Sequence, residues 1–361
     1  MKIRTQATLP ASIDSVWDAL HTPAVFTAVS APFTLFGTTG AKGLPERFES
    51  DRDYEFTASA FGLIPMGTQI IHLVDEVTSW ASRKVTDLGR GVSGPLASFT
   101  GWRHEMSVDA RADGHTDFRD VLHIDTSVSS KLAWPAMQLF WLWRGMRLRA
   151  LAKSFDSPIT RSWNERYLSK GAMWSGKVNP VLEEVARACS PKRALDVGAG
   201  EGADALFLAE LGADTVAVEA SSVGVYRGVA EQQARQAQAG VSLPISWRVA
   251  DISRPWSWRE SEFDFVSLQF VHTDRETRAS IWSEAVAATA EGGVLLIVGH
   301  DASDASRGIP RPPADRCFSR EELLAAIPSD WSSTEVTLRE RTQLIHGNET
   351  TVADIVLVAE R

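Results

Sequence analysis

Residues 194–202 read Ala-Leu-Asp-Val-Gly-Ala-Gly-Glu-Gly, an apolar run that carries Asp196 near its end and breaks into a turn with Gly198, Gly200 and Gly202. Glycines reach positive φ and bring a backbone close to a ligand with no Cβ in between. The next residues, Ala203 to Leu211, have the apolar spacing of a helix whose first N–H groups would face that turn. Strand, glycine turn and helix in this order predict an open parallel sheet with a nucleotide-type site at the strand end.

Two cofactors compete for such a loop. Gly198, Gly200 and Ala203 also satisfy the dinucleotide fingerprint in its Gly/Ala form, with Glu219 at the distance of a ribose carboxylate. Charge separates the two readings. Asp196, two residues before the first glycine, would repel a pyrophosphate but attract the ammonium of an amino-acid ligand. S-adenosylmethionine has that ammonium and no phosphate. A further acidic step, Ala250-Asp251-Ile252, follows the run Ile245 to Val249 and would set a carboxylate beside an adenine amino group. Carboxylates at three successive strand ends favour S-adenosylmethionine.

At these residues the chain resembles the class I S-adenosylmethionine-dependent methyltransferases, from Trp163 to the C-terminus. Asp196-Val-Gly-Ala-Gly-Glu-Gly202 matches the first motif, Val216 to Glu219 the ribose-binding strand, and Ala250-Asp251-Ile252 the adenine-side motif. Phe263 to Gln269 resembles the fourth strand and Gly292 to Val298 the fifth. Trp163-Asn-Glu-Arg-Tyr167, Trp174-Ser-Gly176 and Gly299-His300-Asp301 are similar to the thiopurine and tellurite-resistance type. The resemblance implies a doubly wound, Rossmann-like, seven-stranded α/β domain over residues 156–361. It also implies a lid in which Arg166 reaches the cofactor carboxylate and Trp174 walls the pocket. Two departures stand out: Glu219 where the family usually has Asp, and Ala199 where it often has Cys. The longer Glu still reaches a ribose diol.

Residues 1–155 follow another pattern. An alternating strand, Ile3 to Leu9, precedes a capped helix from Ser12 through Leu20. Short β-like runs follow at Glu46–Ser50, Tyr54–Phe61, Thr68–Val77, Arg83–Asp87, Ala97–Val108 and Thr116–Ile124, and a long helix, Lys131 to Ser154, closes the segment. With Leu9-Pro-Ala-Ser-Ile-Asp-Ser-Val-Trp17 and Gly101-Trp-Arg-His-Glu105, this order resembles the START-like and polyketide-cyclase superfamily. The resemblance implies an α+β helix-grip fold with a cavity under the last helix. Trp134, Phe140, Trp141 and Trp143 with Phe56, Phe61, Phe99 and Trp102 would give it an aromatic lining. His104, Glu105 and His123 are titratable groups on the strands, and alternation puts His104 and Glu105 on opposite faces. Between the halves, residues 156–162 have linker composition, and Pro158 disfavours helix continuation.

Charge and composition limit the partners. To residue 155 the chain has 16 Lys+Arg against 16 Asp+Glu, which leaves 21 against 30 beyond it and places the whole net charge of −9 there. So acidic a half does not suit nucleic acid. Cys189 and Cys317 stand apart, and the start Met-Lys-Ile-Arg-Thr-Gln has no apolar signal core, so a reducing cytoplasm is expected. The most apolar stretch, Leu132 to Leu151, contains Arg144, Arg147 and Arg149, which argues against a membrane span. No cluster has metal-ligand spacing.

The expected chemistry is methyl transfer to a small apolar or aromatic molecule, an in-line displacement that chiefly needs alignment and exclusion of water. Gln269, on the cofactor side, and His272 follow the fourth strand, and His300 ends the fifth. Either histidine would serve as the base for a hydroxyl acceptor, while an ionised thiol or selenol needs none. The competing reading is a ligand-binding or transport protein whose C-terminal half senses S-adenosylmethionine without turnover. A dehydrogenase comes third.

Overall fold

The computed structural model describes residues 1–38, 45–125, 128–256, 262–309, 312–345 and 348–361. It divides into two units, Met1–Arg161 and Ser162–Arg361.

The first unit runs β1 (Lys2–Leu9), α1 (Ile13–Leu20), α2 (Pro23–Ser30), β2 (Thr34–Thr38), β3 (Asp53–Ala60), β4 (Ile64–Ser79), β5 (Ser82–Asp87), β6 (Arg90–Gly91), β7 (Arg103–Ala110), β8 (Thr116–His123) and α3 (Val128–Ala152). Its strands form an antiparallel sheet in the order β1-β8-β7-β5-β4-β3-β2, with β6 beside β4. Helix α3 packs on β1 and α2. The core gathers Val16 and Trp17 of α1 with Phe56, Leu73, Val85, Val108 and Phe118 of the strands.

Three local expectations differ from the structure. No strand forms over Glu46–Ser50; Phe48 is buried there, with its N–H on the His21 carbonyl at 2.8 Å. The run Ala97–Val108 is broken by a short 3-10 turn, Gly94–Ser98, and its strand begins at Arg103. Residues 156–162 are no tether. Pro158 opens α4 (Pro158–Leu168), a position where its missing N–H forfeits no helical bond. Asp156 is buried, and its carboxylate accepts the N–H and hydroxyl of Ser12, the N-cap of α1, at 2.9 and 2.7 Å. The division thus lies at Arg161, beyond the expected Phe155, because Asp156 belongs to the first core.

The second unit continues with α5 (Pro180–Cys189), β9 (Arg193–Val197), α6 (Ala203–Glu210), β10 (Asp214–Glu219), α7 (Ser222–Ala239), β11 (Ile245–Val249), β12 (Phe263–Gln269), α8 (Arg275–Ala288), β13 (Thr289–His300), α9 (Ser303–Ser306), α10 (Arg320–Ala326), β14 (Ser333–Ile345) and β15 (Asn348–Glu360). The sheet order is β11-β10-β9-β12-β13-β15-β14. The first five strands are parallel, and β15 runs antiparallel to both β13 and β14. Ala194, Leu195 and Val197 of β9 and Phe265, Val266 and Leu268 of β12 are all buried, as befits strands with helices on both faces. Chain order reverses between β9 and β12, which opens a crevice at their C-terminal ends. Among the described residues no helix is long and apolar enough to cross a membrane.

Candidate active site

The loop after β9 is built from positive φ: +76° at Gly198, +62° at Gly200 and +85° at Gly202. The N–H groups of Gly198 and Ala199 donate to the Val218 carbonyl at 2.8 and 2.9 Å, and that of Gly200 to Glu219 Oε2 at 2.9 Å. Glu219, at the end of β10, also takes the Ser221 N–H on Oε1 at 2.9 Å, so the side chain folds onto its own loop. The third glycine answers to packing. A Cβ on Gly202 would stand 2.2 Å from Trp247 Cη2 on β11, far inside contact distance, whereas one on Gly200 meets Trp174 Nε1 at 3.0 Å. Gly202 therefore seats an indole beneath the loop.

Three acids collect under this turn. Asp196 is buried; one of its oxygens accepts the Ala205 N–H and Oδ2 has no partner. Burial, with the charges of Asp204 and Glu219, pushes Asp196 well above the ordinary carboxylate range. Burial lifts Asp204 to about 6, although it accepts the Asn179 N–H at 2.7 Å. Burial raises Glu219 as well, against the pull of the Ser221 and Gly200 N–H groups. Among the described residues no cation compensates any of the three. A ligand that brings positive charge and N–H donors relieves the cluster, and a pyrophosphate aggravates it.

Around the crevice, Asp251 Oδ1 accepts the Ser253 N–H and hydroxyl at 3.1 and 2.6 Å. The side chain of Ile252 packs on the main core. Gln269 ends β12, donates Nε2–H to Ser267 Oγ at 2.9 Å, and leaves Oε1 buried without a partner. Ser267 is the β12 residue in register with Asp196. Two orphaned acceptors, Asp196 Oδ2 and Gln269 Oε1, thus lie on neighbouring strands at the same edge.

In the segment Trp163–Trp174, Arg166 lies on the outer side. That side chain is exposed and stacks on Trp163, 4.2 Å from guanidinium carbon to ring centre, with no bond to the loop. Tyr167 takes the inward place. It is buried, accepts Trp174 Nε1–H at 2.9 Å, and lies 3.4 Å through its hydroxyl from where a Gly200 Cβ would stand. Burial and the Glu219 charge raise its hydroxyl above the ordinary tyrosine range. Trp174 is half-exposed over Gly200. Asn164 Oδ1 accepts the Ser221 hydroxyl at 2.7 Å. Arg227 donates to the Tyr167 and Lys170 carbonyls at 2.9 Å each and pairs with Glu201 at 2.8 Å. Glu201 in turn accepts the Met173 and Trp174 N–H groups at 3.2 Å. The helical period held the missing signal: Asn164 and Tyr167 are three residues apart and share a face, which Arg166 leaves by 100°.

His272 and His300 come together, rings stacked at 4.7 Å and 16°. His272 Nδ1 is 2.9 Å from the Arg316 carbonyl, so that nitrogen carries the proton, and Nε2 accepts the His300 N–H at 3.4 Å. His300 Nδ1 is 3.1 Å from Asp354 Oδ1. Burial would raise Asp354, but hydrogen bonds from His300 and Arg341 hold it below the ordinary range, so it stays ionised. An ionised carboxylate on Nδ1 fixes the His300 ring and leaves the proton off Nε2, while both His272 nitrogens meet the backbone. The two histidines are therefore not equivalent.

The chain is similar to several known proteins. Residues 195–297 match a family model described as a methyltransferase domain. A curated relative, hemagglutinin 1 of Eikenella corrodens, is 27% identical over 169 residues, 47% of this chain, and the chain spans about half of that relative, 53%. Among solved structures, one reported for the conversion of a disulfide bond into a thioacetal group during echinomycin biosynthesis is 20% identical. It covers 56% of this chain and 91% of its own, with a TM-score of 0.46. TehB from Haemophilus influenzae is 17% identical over 80% of this chain and 91% of its own, at 0.42. The N-methyltransferase NodS from Bradyrhizobium japonicum WM9, in complex with S-adenosyl-L-homocysteine, is 16% identical over 57% and 99%, at 0.41.

Proposed function

We propose that this methyltransferase, whose cofactor is S-adenosylmethionine, methylates a hydroxyl or thiol of a small apolar or aromatic acceptor, with His300 as the base. The observation that carries the reading is the buried, uncompensated carboxylate of Asp196 under the glycine turn. The residues fit the cofactor: Asp196 Oδ2 and Gln269 Oε1 would hold its ammonium, and the backbone at Gly198 and Gly200 would let it approach. Glu219 and Asp251 would meet the ribose and adenine through lone pairs that their backbone bonds leave over. When bound, the cofactor supplies an electrophilic methyl group on a sulfonium.

The chain's own residues then have two tasks. Trp174 and Tyr167, strapped by Arg227 and Glu201, close the glycine loop against water. His300, oriented by Asp354, takes the acceptor proton at Nε2. For the first unit we read a helix-grip ligand carrier, supported by its antiparallel sheet, its long final helix and the cavity described below. We place both units in the cytoplasm. Incubation with labelled S-adenosylmethionine and a panel of phenols, thiols, selenite and tellurite tests the assignment. Methylated phenol or thiol is expected; failure to bind S-adenosylhomocysteine, together with no transfer to any acceptor, overturns it.

A further inference from the structure

The first unit encloses a cavity of about 370 Å3 between its sheet and α3, a volume within the usual range for small-molecule sites. Five of the eight aromatic residues expected in its lining are there, Phe61, Phe99, Trp102, Phe140 and Trp141. Phe56 and Trp134 pack into the neighbouring cores, and Trp143 donates to the Ala31 carbonyl at 2.9 Å. His104 lines the cavity, whereas Glu105 on the opposite face does not.

Four charged or titratable side chains face this apolar space: Asp87, His104, Asp120 and Arg144. Both carboxylates are satisfied from within. Asp87 accepts the N–H groups of His72 and Gly89 at 3.0 and 2.9 Å and the indole N–H of Trp102 at 3.1 Å. Asp120 Oδ1 lies 2.8 Å from His104 Nε2 and accepts the Trp141 indole N–H at 3.0 Å.

Arg144 is different. Of its five donors one is used directly, on Ser30 Oγ at 3.1 Å, and its Nε is buried with no partner. Among the described residues no carboxylate stands within ion-pair distance, although Asp120 and Asp87 are near enough to favour the cation through space. The guanidinium carbon lies 5.8, 5.7 and 5.2 Å from the ring centres of Phe26, Phe140 and Trp141, so aromatic faces attract the cation while offering its N–H edges no acceptor. A guanidinium edge left open toward an apolar cavity matches a planar, two-oxygen anion.

We propose that this cavity binds an aromatic carboxylate, its rings among the aromatic walls and its carboxylate on Arg144. A neutral hydrocarbon would fill the space but leave the open donors unmet. The inference is independent of the methyl-transfer reading, because every group it uses lies in the first unit.

Titration of the full-length chain with anthracene-2-carboxylate and with 2-(hydroxymethyl)anthracene, followed by calorimetry, tests it. The acid is expected to bind at least tenfold more tightly than the alcohol. Arg144→Met should erase that preference while the alcohol affinity stays within threefold, and Arg144→Lys should restore part of it. Equal affinity of the unaltered chain for the two probes, or binding of neither, overturns the proposal without recourse to any variant. So does a preference that survives in Arg144→Met.

Discussion

Gly202→Ala separates packing from ligand contact within the glycine loop. Two structural terms set its cost. The residue sits at φ +85°, where a side chain costs about 1–2 kcal/mol. The new Cβ would stand 2.2 Å from Trp247 Cη2 and 3.1 Å from Cζ2 and Cζ3, and forcing such a contact costs about 1–3 kcal/mol. The indole has nowhere to retreat, since its Cη2 is also 2.3 Å from where a Gly228 Cβ would be, and its Nε1–H is held by Gln232 Oε1 at 2.8 Å. The expected loss is therefore about 2–5 kcal/mol, read as a lower urea midpoint for the second unit with an unchanged slope. The folded fraction should still bind S-adenosylhomocysteine within threefold of the unaltered chain. In a Trp247→Leu background the clash disappears and only the φ term remains, so the same substitution should cost about 1–2 kcal/mol. Unaltered stability with lost binding, or an equal cost in both backgrounds, would refute the packing role.

Other outcomes are expected. Burial and like charge favour the protonated form of Asp196, so binding the ammonium of S-adenosylmethionine should draw protons off it, seen as a buffer-dependent calorimetric enthalpy; Asp196→Asn should abolish the release and weaken binding. Asp204 has its folded pKa raised to about 6, so the native state holds the extra proton and stability falls as pH climbs from the ordinary aspartate value through about 6. Asp204→Asn should accordingly gain up to about 3 kcal/mol in denaturant unfolding at pH 8 and little at pH 4. His300→Ala should lower turnover about 10²- to 10⁴-fold with cofactor affinity within threefold, while His272→Ala, whose ring nitrogens meet the backbone, should cost far less. Equal losses in the two would refute the assignment of roles. Asp156→Ala leaves Ser12 at the start of α1 without its acceptor and should destabilise the first unit by about 1–3 kcal/mol in thermal or urea unfolding.

The parallel strands of the second unit were legible because they are largely buried on both faces and read as apolar runs: Ala194 to Val197, ended by a glycine, Val216 to Glu219, ended by an acid, and Phe263 to Gln269, ended by an amide. The antiparallel first unit was legible in order but less so in its bounds. Phe48 is buried without a strand around it, and α2 and β2 were not anticipated, since short elements owe their existence to packing more than to pattern. Asp156 illustrates the same limit, for its partner Ser12 lies 144 residues away.

For the site, local chemistry determined which edge of the sheet to look at. The order of strand, glycine turn and helix, and an acid placed to reject phosphate, follow from residues close in sequence, where steric and electrostatic constraints act at short range. Only the tertiary structure decided what each side chain does there. It turned Glu219 onto the Gly200 N–H, set Trp247 under Gly202, brought Tyr167 inward, and joined His300 to Asp354 across 54 residues. Those outcomes depend on which distant groups compete for the same hydrogen bond or the same volume, and that competition exists only once the sheet has assembled its edge.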